Sequence, residues 1–211
     1  MPERPGTLAD FREPIVLAGL ICAALVVSGM APFDRFTWWL EVAPVLIALP
    51  LLALTAKRFR LTPLLYRLIW LHMLILIVGG HYTYARVPLG EWVRDWLDIS
   101  RNHYDRMAHF AQGFIPAIFV RELILRNLGR LTRFWRCVFI VSVCLAFSAF
   151  YEMLEWWAAV VGGDSAESFL GTQGDVWDTQ WDMFLAMVGA ICALITLSGH
   201  HDRQLSSLED L

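Results

Sequence analysis

The chain has 211 residues, of which 57% are hydrophobic and only 18% are charged. A soluble domain of this length needs more charge to cover its surface, so the composition excludes an ordinary soluble protein. The net charge is −3, and the 17 Arg and Lys residues are spread along the chain, which makes nucleic acid a poor candidate partner. The four cysteines form no CxxC pair, so neither a disulfide framework nor a thiolate metal site is predicted.

Six apolar segments are long enough to cross a membrane as helices, which takes about 20 residues each. They cover residues 15–31, 38–56, 63–80, 104–125, 135–161 and 178–198. The sequence therefore predicts an all-α fold, a polytopic bundle of six transmembrane helices that forms one integral membrane domain over residues 1–211.

Two connecting segments are longer than a tight turn requires. Near residues 88–100, Trp92 and Trp96 share one face while Glu91 and Asp95 lie on the other, a pattern typical of a short helix in the membrane interface. The segment 162–177 is rich in glycine and turn-forming residues, so we expect it to be irregular and able to cap a cavity.

The Arg and Lys residues predict the orientation of the bundle. Twelve of the 17 lie on the side of the two termini: Arg4, Arg12, Lys57, Arg58, Arg60, Arg67, Arg121, Arg126, Arg130, Arg133, Arg136 and Arg203. Five lie on the other side: Arg35, Arg86, Arg94, Arg101 and Arg106. Because Arg and Lys accumulate on the cytoplasmic side, we expect both termini in the cytoplasm and an uncleaved first span.

This orientation makes a prediction for reporter fusions. Fusions after Arg58 and Arg130 should report a cytoplasmic location, and fusions near Gly90 and Ser168 an external one. Paired alkaline phosphatase and green fluorescent protein reporters measure this directly. The reversed pattern would contradict the orientation and turn the polar residues described next toward the cytosol.

Ionisable residues gather in the outer half of the last three spans. They come as pairs one helical turn apart, here called the polar cluster: Asp105 with His109, Glu152 with Glu155, and Asp178 with Asp182. Residues three or four apart share a face of a helix. Ionisable groups inside a membrane are costly and by default indicate a function. We therefore expect three helices to present these pairs to one another at a common depth.

Part of the polar cluster also has a structural explanation. Two of the acids follow residues that resemble helix N-caps, where a carboxylate is favourable without any further role: Asp105 after Asn102, and Asp178 after Asp175. Arg101 and Arg106 can neutralise one or two acids. Glu152 and Glu155 lie toward the C-terminal end of their helix, where acids are unfavourable. The surplus acids need protons, a bound cation or a cationic substrate.

Carboxylates and imidazoles are ligands for Mg, Mn, Zn and iron ions, so a divalent metal ion is the candidate cofactor. The candidate ligands are the six members of the polar cluster, and the candidates for catalysis are His103, His109 and Glu152. The sequence contains no zincin, α/β-hydrolase or P-loop motif, so the reaction stays unassigned.

Three further polar residues within the spans are assigned structural roles. We expect Glu41 to face the outer headgroups or Arg35, and His72 to be a hydrogen-bonded core histidine. Arg121 should extend its guanidinium toward the cytoplasmic headgroups.

Several long strings resemble the YjdF-type family of uncharacterised bacterial inner-membrane proteins. They are the segment Pro32–Tyr66 and the strings GGHYTYARVPLG, RNHYDRMAHFAQGF, FYEMLEWWAA and FLGTQGDVWDTQWDM. The resemblance implies a bacterial inner (cytoplasmic) membrane location and a polytopic fold, and it supplies no reaction. A fainter similarity to VanZ-like membrane proteins, which are linked to glycopeptide resistance, concerns only the order of polar residues in the last three spans.

Two functions remain open. One is a site that opens toward the outer face, depends on a metal ion, and binds or acts on a lipid or an envelope precursor. The other is a transporter of a proton, a cation or a small solute. Carriers commonly show repeats or interrupted helices at mid-membrane, whereas here the polar cluster lies off-centre and no paired interruptions occur. The sequence therefore favours the site and leaves the oligomeric state open.

Overall fold

The computed structural model describes residues 11–128, 131–163 and 167–209. Within these ranges the chain forms nine α-helices: α1 (Arg12–Met30), α2 (Arg35–Thr55), α3 (Pro63–Tyr82), α4 (Pro88–Leu97), α5 (Tyr104–Asn127), α6 (Arg133–Gly162), α7 (Glu167–Leu170), α8 (Asp178–Thr196) and α9 (Ser198–Glu209). Six of them, α1, α2, α3, α5, α6 and α8, are long and apolar enough to cross a membrane. The predicted all-α membrane fold is confirmed.

Each spanning helix begins and ends within a few residues of its predicted span. The small differences arise because charged residues at the ends of several spans are part of the helix. α2 begins at Arg35 since the Asp34 carboxylate accepts a hydrogen bond from the Thr37 amide at 2.6 Å, a side-chain N-cap. The last span was predicted to reach Ser198. It ends at Thr196 instead, and a separate helix, α9, follows. The sequence analysis did not predict α9.

α5 lies at the centre of the bundle. In the window that can span the membrane, 56% of α5 is buried, against 17–28% for the other five spanning helices. It packs against α3, α6 and, most extensively, α8, while α1 and α2 each pack against α3. The helix that carries Asp105 and His109 is therefore surrounded by protein, which explains how it tolerates the lowest hydropathy of the six.

α5 and α8 approach each other so closely that two glycines are required. A Cβ at Gly113 would collide with the carbonyl oxygen of Ala186, and a Cβ at Gly189 would collide with that of Phe110. Small residues at such crossings let helix backbones pack directly in a membrane. Because α5 and α8 cross here, their N-terminal turns lie side by side at one end of the bundle. This end, where α3 and α6 also finish, is called the cluster end.

α4 confirms the short helix predicted near residues 88–100. Trp92 and Trp96 are 69% and 83% exposed, as the amphipathic pattern predicts for residues that enter a membrane interface. Gly90 is buried against the side chain of Asn102, and this contact fixes α4 beside the start of α5.

The segment predicted to be irregular, 162–177, contains the single helical turn α7 and a docked loop; residues 164–166 lie outside the described ranges. The loop docks onto the start of α5. Gln173 exchanges two hydrogen bonds with the backbone of Asn102, at 2.9 and 3.0 Å, and Arg101 donates to the Thr172 carbonyl at 2.7 Å. These contacts hold the loop over the cluster end.

α9 folds back onto the bundle through a buried hydrogen-bond network at the opposite end, called the α9 network. Glu122 is fully buried and accepts hydrogen bonds from the Thr62 hydroxyl at 2.8 Å and from His201 Nε2 at 2.9 Å. Arg121 donates to His201 Nδ1 at 2.8 Å and to the Asp202 carboxylate at 2.7 Å. Since an arginine can only donate, His201 must carry its proton on Nε2. The prediction that Arg121 extends to the headgroups is wrong, because α9 covers it.

Both ends of the described chain lie at this opposite end. Glu13 forms an ion pair with Arg67 at 2.5 Å, and the side chain of Gln204 accepts a hydrogen bond from the Leu64 amide at 2.8 Å. Arg67 and Leu64 both belong to the first part of α3. The start of α1 and the helix α9 therefore lie at the same end of the bundle as the start of α3.

Candidate functional site

The structure brings five of the six members of the polar cluster together around His109. Its Nε2 lies 3.6 Å from Asp105 Oδ1 and 3.8 Å from Glu152 Oε1. Two sets of potential ligand atoms, each within 4.8 Å of one another, share this imidazole: Asp105, His109 and Asp182 in one, and His109, Glu152 and Glu155 in the other. Three helices, α5, α6 and α8, therefore contribute to one site at the cluster end.

Three buried polar atoms of this site, one from each helix, make no hydrogen bond within the described chain: His109 Nδ1, Glu152 Oε1 and Asp182 Oδ1. Their side chains are almost fully removed from solvent, with exposures of 6%, 8% and 3%. Leaving a buried polar group unsatisfied costs about 1–3 kcal/mol, and more when the group is charged. Such a group of atoms is expected where a ligand completes the site.

Two arginines neutralise only one side of the polar cluster. Arg101 Nη2 lies 2.5 Å from Asp178 and 3.4 Å from Asp105, and Arg106 pairs with Asp175 at 2.5 Å. Asp178 therefore serves as an ion-pair partner and belongs to neither set of ligand atoms. Over the described residues, no Arg or Lys lies within ion-pair distance of the remaining acids: Glu152, Glu155 and Asp182.

The predicted caps contribute to the geometry next to the site. Asn102 Oδ1 accepts a hydrogen bond from the Tyr104 amide at 3.0 Å, and Asp175 accepts from the Trp177 amide at 2.9 Å. The amide of Trp177 and the nearby guanidinium of Arg106 hold the pKa of Asp175 below its usual range. The stability that the folded protein gains from the ionised Asp175 is therefore fully present above the pKa of an aspartate in the unfolded chain. It is lost as the pH falls through the lowered pKa of Asp175 in the folded protein.

His103, a predicted catalytic candidate, is not brought into either set of ligand atoms. It occupies the N-cap position of α5 and is half-buried. Burial lowers its pKa, and the positive charges of Arg106 and Arg101 lower it further. His103 therefore borders the site beside the arginines rather than beside the unpaired acids.

Sequence reasoning missed a cavity of about 190 Å³ that adjoins the site. Its polar wall includes Glu41 from α2, His72 from α3, Gln112 from α5 and Tyr151 from α6, together with Asp105, His109 and Glu155. Glu41 is 2% exposed and accepts a hydrogen bond from the Tyr151 hydroxyl at 3.2 Å. The expectation that Glu41 faces headgroups or Arg35 is wrong, because α2 turns this residue inward.

His72, which was expected to be a hydrogen-bonded core histidine, has surroundings that its own span did not show. It lines the same cavity as Glu41 and Asp105, so it has acidic residues around it that lie far away in sequence. The signal available in the sequence was that Glu41 and His72 are ionisable residues inside apolar spans. Which helix faces they occupy depends on how α2, α3 and α6 pack, and helical periodicity does not specify this.

The chain was compared with known proteins. The family model described as "Predicted membrane protein (DUF2238)" matches residues 13–203. Among curated proteins, the chain is 48% identical over 196 residues to "Inner membrane protein YjdF" of Escherichia coli (strain K12), covering 92% of this chain and 94% of that protein. No solved structure matches. On this similarity, which covers nearly all of its length, the chain belongs to the DUF2238 family of membrane proteins.

Proposed function

We propose that the protein binds a divalent metal ion between α5, α6 and α8 and uses it on a lipid or an envelope precursor. His109 is the shared ligand, and the carboxylates come from the two sets of residues around it: Asp105 with Asp182, and Glu152 with Glu155. The bound ion would supply a Lewis acid at the edge of the adjoining cavity. In the orientation expected from the Arg and Lys residues, this cavity lies in the outer half of the membrane.

The observation that carries the proposal is the set of potential ligand atoms from three helices that lie within 4.8 Å of one another around His109, beside buried oxygens of Glu152 and Asp182 that make no hydrogen bond. Carboxylate oxygens and an imidazole nitrogen form a ligand set that suits Mn, Zn or iron ions. A larger groove of about 310 Å³ between α1, α2 and α3 has only Lys57 and Tyr66 as ionisable residues in its wall, so it offers no comparable ligand set.

The alternative, a transporter, would need polar groups that continue through the membrane. His72 favours it, because this residue extends the polar wall of the cavity toward mid-membrane. However, a layer of buried apolar residues separates the cavity from the α9 network. It includes Leu65, Ile118, Ile140 and Ala190, each fully buried. This layer supports a site that is open to one side only.

Metal analysis of the purified full-length protein tests the proposal. We expect a transition metal to co-purify, and removing it with a chelator should lower the thermal stability in detergent. An ion present at about 100 times its dissociation constant contributes about 2.7 kcal/mol, which a thermal unfolding curve resolves. His109→Ala and Glu152→Gln should each abolish both the bound metal and the chelator effect, because each removes a ligand.

His72→Ala is the matched control. It removes an imidazole from the wall of the same cavity but from neither set of ligand atoms, so the chelator effect should persist. If the wild-type protein contains no metal and its stability does not respond to a chelator, the proposal is wrong. If His72→Ala abolishes the effect as fully as His109→Ala, the ion is bound elsewhere in the cavity.

A further inference from the structure

The cavity next to the site has an unusual charge pattern. Three carboxylates line it from three different helices, Glu41 from α2, Asp105 from α5 and Glu155 from α6, and no Arg or Lys belongs to its wall as described. Asp105 has Arg101 behind it at 3.4 Å. Glu41 lies beside two neutral hydroxyls, that of Tyr151, which donates to it at 3.2 Å, and that of Tyr84. A buried carboxylate without a cation is costly, so Glu41 needs either a proton or a positively charged occupant of the cavity.

A divalent ion bound at His109 would not neutralise all the acids around the cavity. Seven acids form the site, line its cavity or pair with Arg101 and Arg106, among the residues described: Glu41, Asp105, Glu152, Glu155, Asp175, Asp178 and Asp182. Two arginines and one divalent ion supply four positive charges between them. Glu41 belongs to neither set of ligand atoms around His109, so the ion would not directly ligate it.

The open hydrogen-bonding positions of the cavity suit an ammonium group. Gln112 Oε1 is buried and accepts no hydrogen bond, and the carboxylate of Glu41 can accept more than the one it receives from Tyr151. An ammonium group carries three donors and no acceptor, which complements carboxylate and amide oxygens.

The size of the cavity and its aromatic and apolar walls also suit an ammonium group on a short carbon chain. A volume of about 190 Å³ corresponds to about six water molecules, enough for an ammonium group on a short carbon chain. The rings of Tyr84, Phe147 and Tyr151 line the cavity, and aromatic faces attract cations. Leu76 and Pro116 provide apolar contacts for the attached carbons.

We infer that this cavity binds the primary ammonium group of an aminoalkyl compound, with Glu41 as its counter-ion and Tyr151 as the residue that positions the Glu41 carboxylate. The inference rests on the proposed function, since it names the substrate class that the cavity presents to the metal site. The ammonium group can belong to a lipid headgroup or to a small free amine, and the two sources share this chemistry.

The test uses the full-length protein as purified and two kinds of probe. Ethanolamine is titrated into protein in an uncharged detergent, with ethylene glycol as the neutral analogue of similar size and sodium chloride as the simple cation. In parallel, the protein is placed in nanodiscs of phosphatidylglycerol that contain phosphatidylethanolamine or phosphatidylcholine. We expect ethanolamine, or phosphatidylethanolamine in the nanodiscs, to raise the melting temperature, and the neutral analogue, sodium and phosphatidylcholine to have little effect.

Glu41→Gln keeps the shape of the side chain and removes its charge, so we expect it to weaken amine binding at least tenfold. Asp95→Asn, which changes an exposed acid on α4, is the matched control and should bind as wild type does. Metal content is measured on the same samples and should be unchanged in Glu41→Gln. Tyr151→Phe serves as a second variant should Glu41→Gln fail to fold, and it should also weaken amine binding.

The outcomes separate this inference from the proposed function. If the amine and its neutral analogue act alike, if sodium competes equally, or if Glu41→Gln and Tyr151→Phe bind as wild type does, the inference is overturned. If ethanolamine raises the melting temperature, the source can be a small free amine. If only phosphatidylethanolamine does so, the source is a lipid headgroup. If amine binding depends on Glu41 but no metal co-purifies, the inference stands as a binding site while the proposed metal function fails.

Discussion

Gly113→Ala is expected to lower the free energy of unfolding by about 3 kcal/mol and to reduce the yield of folded protein in detergent. The added Cβ would collide with the backbone carbonyl of Ala186, and neither helix can yield without separating from the other. Overpacking typically costs about 1–3 kcal/mol, and the backbone contact here puts this substitution at the upper end. Thermal unfolding followed by size-exclusion chromatography measures the change.

Gly19→Ala in α1 is the matched control for this prediction. A Cβ at Gly19 meets no atom within 4 Å, so the same change there should be harmless or stabilise the helix by about 0.5–1 kcal/mol. Because the α5–α8 crossing positions Asp105 and His109 beside Asp182, Gly113→Ala should also reduce metal binding. Wild-type stability of Gly113→Ala would show that α5 and α8 do not pack at this distance.

His201→Ala is expected to destabilise the protein by about 1.5–3 kcal/mol. It removes one hydrogen-bond partner of Glu122, which is fully buried, and one of Arg121, which is 4% exposed. Glu122 keeps Arg126 at 2.9 Å and Arg121 keeps Asp202 at 2.7 Å, so the cost is that of lost hydrogen bonds to charged groups rather than of unpaired buried charges. The loss appears as a lower melting temperature in detergent and as faster proteolysis of α9.

The neighbouring His200→Ala provides a control within the same helix. His200 is exposed, and among the described residues its side chain hydrogen-bonds only to Gln204, at 3.0 Å, so its removal should change stability by less than about 0.5 kcal/mol. Equal effects of the two substitutions would contradict the burial of His201. Neither substitution touches the cluster end, so metal content per folded molecule should not change.

The sequence predicted the parts of the site that depend on helical periodicity. Asp105 with His109, and Glu152 with Glu155, stand out because ionisable residues are rare inside apolar spans and their spacing assigns them to one face. That these faces meet is a property of the α5–α8 crossing. The glycines that permit this crossing carry no distinguishing signal in a sequence with 14 of them.

The parts that were not predictable depend on contacts between distant segments. Glu41 and Tyr151 are 110 residues apart and meet only because α2 and α6 flank the same cavity. His201 lies in a polar C-terminal segment whose composition predicts exposure to solvent. Its burial follows from the packing of α9 against Glu122. In each case the charge was visible in the sequence, but its partner was set by tertiary packing.

The α9 network has a consequence for biogenesis. α9 is synthesised after all six spanning helices, so Glu122 and Arg121 enter the membrane before the ribosome has made His201. Until α9 arrives, the nascent protein holds charged groups that its neighbours only partly satisfy. A chain that stops after α8 contains all six spanning helices of the described residues but leaves Glu122 and Arg121 without His201. The interior of the bundle is therefore completed only after its last spanning helix has been translated.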